Sequence, residues 1–124
     1  MSKLFLGLAG LATVALTSQA VAHHSAAAFD FMKPITITAV VKKFEVINPH
    51  SHVVVTVTDK GGTRDVDFEG HSASNFYRAG YTRGSVKAGD KISITFAPRR
   101  DGKDGGFLLA FTSPAGKKVG FSPA

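Results

Sequence analysis

Cysteine is absent from this 124-residue chain. Without thiols there is no disulfide, no thiolate nucleophile and no sulfur-rich metal site. Any metal would have to be held by histidine, carboxylate or a terminal amine. Long apolar runs are scarce as well. The longest, Leu4 to Leu16, is too short to span a bilayer comfortably, and no later stretch approaches membrane length. There is no HExxH motif, no G-x-S-x-G elbow, and no glycine loop leading into a lysine and a helix. Zinc-protease, serine-hydrolase and phosphate-loop readings are thereby left without a motif.

The first residues carry a different signal. Lys3 precedes the apolar run, and Ala20-Val21-Ala22 is a small-x-small cleavage site, so residues 1–22 read as a secretory signal peptide. Cleavage there would make His23 the mature N-terminus and place the protein in the periplasm or outside the cell. An uncleaved N-terminal anchor is the alternative. Behind the signal, residues 23–34 are expected to be an extended segment and residues 35–124 a single β-barrel domain. No transmembrane segment is expected after cleavage.

The full chain carries 15 basic and nine acidic residues, a net charge of +6. Loss of Lys3 with the signal would leave +5. The basic residues are scattered apart from short pairs such as Arg99-Arg100 and Lys117-Lys118. Scatter and an export compartment both argue against a nucleic-acid partner, and the charge is better read as solubility and loose attraction to anionic surfaces.

Short runs of Val, Ile, Thr and Phe alternate with Gly, Pro, Asp and Lys, the pattern of strands and turns. Ile35 to Phe44 is the first strand, with Ile35, Ile37, Ala39 and Val41 on one face. The alternation slips at Lys42-Lys43, which predicts a β-bulge. Ser51 to Thr58 is the second strand, with Val53, Val55 and Val57 inward, and Thr63 to Glu69 the third, with Arg64, Val66 and Phe68 inward. A helix is expected over Ser74 to Ala79, capped by Ser72 or Ser74 and left at Gly80. Lys91 to Ala97 places Ile92, Ile94 and Phe96 inward. Phe107 to Thr112, with Leu109 inward, is the fifth strand, and a short hairpin through Gly116 to Phe121 ends the chain. Three strands, a helix and two strands match a small five-stranded Greek-key barrel of OB type. A β-sandwich or an open sheet with one helix is the alternative.

The hairpin of strands two and three fixes a cluster. With Lys60-Gly61 as a two-residue turn, Asp59 faces Gly62, Thr56 faces Asp65, Val54 faces Asp67, His52 faces Glu69 and His50 faces His71. Facing β-carbons lie about 4.5–5.5 Å apart. His50, His52, Glu69 and His71 would then share one outer surface, while His23 and His24 stand at the mature N-terminus. Imidazole, carboxylate and a terminal amine suit Cu(II), Zn(II) or Ni(II). These six residues are the candidate metal ligands, copper the candidate cofactor, and His50 with His71 the expected centre. The simpler readings are polar strand residues for His50 and His52, a helix-start residue for His71 and a disordered tail for His23-His24. Asp65, Asp67 and Glu69 are expected on a solvated face. No catalytic residues are assigned, because no nucleophile-base pairing is visible.

The combination His23-His24-Ser25, Phe29-Asp30, Lys33-Pro34 and Asn48-Pro49-His50, with Asn75, Arg78, Gly80-Tyr81-Thr82 and Lys87-Ala88-Gly89-Asp90 downstream, resembles a family of short exported bacterial proteins of unknown function. The likeness covers nearly the whole chain after the signal. It departs around Val46 and Tyr81, where the family pattern carries tryptophan and this chain has none. The resemblance implies an exported single domain and brings no activity. A looser similarity to periplasmic OB-type stress proteins implies a binding module. The expectation is therefore a non-enzymatic binding or interaction module for an unknown ligand or protein partner, with a copper-binding protein as the alternative.

Overall fold

Asp59 and Gly62 are ladder partners, and only Lys60 and Gly61 lie between them. Gly62 takes φ +96° at the end of this turn, a conformation that glycine adopts without a Cβ penalty. From that anchor β2 (His52–Asp59) and β3 (Gly62–Glu69) run antiparallel through Thr56–Asp65 and Val54–Asp67 to His52–Glu69, the register expected from the pattern. The computed structural model describes residues 27–121.

The remaining strands are β1 (Ile35–Glu45), β4 (Lys91–Pro98), β5 (Gly106–Thr112) and β6 (Lys118–Gly120), and helix α1 (Ala73–Arg78) lies between β3 and β4. The protein is mainly β, and the described residues form six strands ordered β3-β2-β1-β4-β5-β6 in one sheet. A short parallel pairing joins β3 to β5 through Phe68–Gly106 and Glu69–Phe107. The pairings thus form a closed circuit, β1-β2-β3-β5-β4, with β6 added outside it as the second arm of the tail hairpin.

Bulges tune the faces of β1 and β5. In β1, Val41 pairs with Val55 and Lys43 with Val54, so Lys42 is the extra residue where the slip was expected. In β5, Ala110 pairs with Thr95 and Leu108 with Phe96, so Leu109 is extra. That second bulge corrects the expected core. Leu108 and Phe111 are buried, whereas Leu109 is only partly covered, because one added residue exchanges the inward set for the outward one.

Val41, Val53, Val55, Val66, Phe68, Ile92, Ile94 and Phe96 are buried as expected, and Ile37 and Val57 pack against them part-exposed. Helix α1 adds Phe76, which is fully buried. Its ring lies 4.6 Å from Phe121, 6.0 Å from Phe111 and 6.2 Å from Phe44, between centroids. The helix thereby stoppers the end of the circuit marked by Phe44. Ser72 is the N-cap, its hydroxyl accepting from the Asn75 N–H at 3.4 Å, and the Asn48 side chain accepts from Ala73 N–H at 3.0 Å. The Asn48–Pro49 peptide bond is cis.

Candidate functional site

At the other end of β1 the apolar face is only partly covered by the described residues, with Ile35 exposed and Ile37 and Val57 part-exposed. Ile35, Ile37, Val57, Val66, Phe68 and Phe96 floor a cleft of about 330 Å³ that opens to solvent. That volume lies at the lower end of the range for small-molecule sites. The rim is charged. Arg64 projects from the inward face of β3 and donates Nη1 to Asp59 Oδ1 at 2.8 Å and Nη2 to Asp104 Oδ1 at 3.0 Å. This clasp ties the β2–β3 turn to the β4–β5 loop. The Arg64 hydrogen bonds hold the Asp59 and Asp104 carboxyls below their usual range, and the two carboxylates raise the guanidinium. In the same loop the Arg99 guanidinium, hydrogen-bonded to Asp101, lowers that carboxyl to about 2.

A second cleft of about 340 Å³ lies on the outer side of β3, lined by Phe29, His52, Asp65, Asp67, Glu69 and Asp104 among others. The two clefts share Val66, Arg99 and Asp104, so they are the inner and outer sides of one seam between β3 and the β4–β5 loop. The chain enters the fold here. Phe29 bridges Arg99, Asp30 N–H donates to the Pro98 carbonyl at 2.8 Å, and Phe29 and Phe31 each stand 5.8 Å from Phe107.

The candidate metal ligands are spread over this neighbourhood rather than converging. His23 and His24 lie outside the described residues. His50 is exposed, its Nδ1 3.8 Å from Glu69 Oε1, and His52 points instead at Asp67, Nδ1 to Oδ1 3.2 Å. The expected ladder pair His50–His71 does not form. Ser51 N–H donates to the His71 carbonyl at 3.0 Å while its own carbonyl accepts from Gly70 N–H at 2.7 Å, so two residues oppose one. That break turns the His71 ring off the outer face. It stands edge-on to Phe107 at 4.9 Å, with Phe121 at 5.3 Å, and its Nε2 is buried without a hydrogen-bond partner. Burial, with nearby His50 adding to it, lowers the His71 pKa. Among the described residues no group of three His, Cys, Asp or Glu is arranged to hold a metal ion.

The acidic residues of β3 alternate outward as expected. Asp65 is exposed and bonded to Lys42 and to the Thr56 hydroxyl at 2.9 Å, and the hydrogen bond from Lys42 lowers its pKa. Two serines near the histidines, Ser51 and Ser72, are used structurally. Ser51 is fully buried, with its hydroxyl on the Ile47 backbone, and Ser72 caps α1. The mouth cleft was not foreseen, although Ile37, Val57, Val66, Phe68 and Phe96 were expected on core-facing sides and Ile35 on the same face as Ile37. Which of them stay uncovered depends on the loop that crosses them.

A family model described as a family of unknown function, DUF6152, matches residues 11–109. The chain belongs to that family. The match runs from ahead of the described residues through the seam and into β5. Phe29, the Arg64 clasp and the whole β2–β3 hairpin therefore lie within the family's extent. No curated protein matches the chain. Among the described residues no helix is long and apolar enough to cross a membrane.

Proposed function

We propose that this DUF6152 protein is an exported, non-enzymatic binding module. In this reading the closed circuit of pairings is a small OB-like barrel, and its mouth is the ligand site. The observation that carries the proposal is the exposed Ile35 with the part-exposed Ile37 and Val57, which lie over the buried Val66 and Phe96 behind the Arg64–Asp59–Asp104 clasp. An apolar surface left open at the mouth of a ring of strands gains free energy from any apolar group that covers it. Export rests on Lys3, the apolar run and Ala20-Val21-Ala22. A binding rather than catalytic role is supported by Ser51 and Ser72, whose hydroxyls serve the backbone. The copper reading takes second place, because His50 and His52 turn to separate carboxylates and His71 turns toward phenylalanines.

Two measurements test the reading. Protein recovered from the export compartment should have the intact mass of a chain starting at His23. A mass that retains residues 1–22 would overturn the processing. Isotope-labelled protein titrated with anilinonaphthalene sulfonate should shift the amides of Ile37, Val57, Val66 and Phe96, and Ile37→Lys should abolish the shifts. If these amides do not respond, the mouth is not a binding site.

A further inference from the structure

We propose that the seam beside β3 accepts a partner's extended segment as an added strand, and that the segment alternates apolar and basic residues. This rests on the binding-module reading and names a partner class for the same mouth. The starting point is an unpaired edge. β3 has β2 along one side for all eight residues, but on the other side only Phe68 and Glu69 pair, with β5. At Asp67 the loop closes in, since a Cβ on Gly105 would stand 2.7 Å from the Asp67 carbonyl oxygen. From Gly62 to Val66 no strand covers that side among the described residues.

The hairpin geometry says which groups wait there. A two-residue turn makes Asp59–Gly62 a hydrogen-bonded pair, so backbone groups alternate inward to β2 and outward to the seam. Thr63 and Asp65 thus present N–H and C=O groups to the gap, and no turn or loop hydrogen bond reaches either among the described residues. An extended segment laid here would complete those bonds, as in other strand-addition complexes.

Alternation then sets the segment's chemistry. Its inward side chains would cover the part-exposed floor at Val57, beside the buried Val66, so they are apolar. Its outward side chains would lie in the outer cleft beside Asp65, Asp67, Glu69 and Asp104. Lys42 and Arg64 answer two of these carboxylates. Asp67 and Glu69 have histidine rings as their ion-pair partners, with the Lys43 charge near Asp67 and Arg99, itself bonded to Asp101, at the cleft wall. This is a negative strip on a chain of net charge +6, and it suits lysine or arginine. A second copy of the chain is a poor fit, because pairing two β3 edges would bring two strips that each carry Asp65 and Asp67 side by side on one face.

The probe is the capped hexapeptide Lys-Val-Lys-Val-Lys-Val, compared with the block order Lys-Lys-Lys-Val-Val-Val and with the alternating peptide N-methylated at every second residue. Binding is read from chemical shifts and amide exchange in the folded protein. We expect the alternating peptide to shift and protect the Thr63 and Asp65 amides. Both control peptides should bind roughly tenfold weaker or worse, the loss of about one net hydrogen bond or its register. Asp65→Lys with Asp67→Lys should weaken the parent peptide and favour one with glutamate in place of lysine. Equal binding of all three basic peptides would reduce the site to charge attraction and overturn strand addition. No binding of the alternating peptide would do the same. Because anilinonaphthalene sulfonate tests the mouth independently, failure of the peptide with retention of the dye sinks this inference alone.

Discussion

Arg64 and Asp104, forty positions apart in the chain, are joined across the mouth by two N–H···O bonds, from Nε and Nη2. The same guanidinium holds Asp59 on its other side, so one side chain locks the β4–β5 loop to the β2–β3 turn. All three residues are substantially exposed, and solvent screening keeps such pairs from contributing much to global stability. Asp104→Asn should therefore speed amide exchange at Gly102 and Gly105 while the unfolding midpoint scarcely moves. Unchanged loop exchange would show that the clasp does not hold the loop.

Phe68 is 1 % exposed, and its ring centroid lies 4.6 Å from that of Phe96 below the cleft. Phe68→Ala should cost about 3–5 kcal/mol in denaturant unfolding, from lost transfer energy and the cavity left behind. A loss under about 1 kcal/mol would mean that the inward face of β3 has been wrongly assigned.

Gly106 marks the tightest backbone approach at the seam. A Cβ there would sit 2.3 Å from the Ala97 carbonyl oxygen and 2.7 Å from the Phe96 ring. Backbone oxygen cannot swing aside as a flexible side chain can, so Gly106→Ala should destabilise by about 1–3 kcal/mol. It should also shift the amides of Phe68 and Glu69, which pair with β5 at this point. Wild-type stability in that variant would contradict the approach.

His71 supplies a pH dependence with a defined sign. Burial favours its neutral form, so the folded chain binds its proton less readily than the unfolded chain does. The stability involved is fully present above the ordinary histidine value of about 6.5 and is lost as pH falls toward the lowered folded value. The aspartates held low by arginine act in a separate window, below about pH 4. Urea midpoints measured at pH 7.5 and 5.5 should fall more for the parent than for His71→Phe. Equal falls would show that His71 carries none of the dependence.

The bulge in β5 can be tested by a pair of neighbours. Leu108 is fully buried and pairs with Phe96, whereas Leu109 is the unpaired extra residue. Leu108→Ala should cost about 2–5 kcal/mol, and Leu109→Ala distinctly less. The reverse order would restore the simple alternation expected from sequence.

These two leucines also show where pattern reading stops. β1 betrayed its bulge because Lys42-Lys43 interrupts an alternating run, whereas Phe107-Leu108-Leu109-Ala110-Phe111 is apolar throughout and offers no parity to follow. The β2–β3 register was legible from His52 to Gly62 because a two-residue turn and three inward valines admit one alignment. Extrapolated one pair further it failed, since Ser51 is opposed by both Gly70 and His71 and the His71 ring turned toward Phe107.

Turns, alternation and short range settle the local structure, because a slip of one residue would expose an entire apolar face. The hairpin, the β1 bulge and most of the buried set follow from that alone, whereas the choice of Ser72 over Ser74 as cap came with the fold. The meeting of β3 with β5 is a different kind of fact. It joins Phe68 to Gly106 across 38 positions through two ladder pairs, with a glycine at the point of contact. No local pattern announces it, since it depends on how far the twisted strands carry round before they touch. Among the described residues that distance leaves Gly62 to Val66 with no strand on the side away from β2, and the mouth only partly covered, so the candidate site exists only in the folded chain.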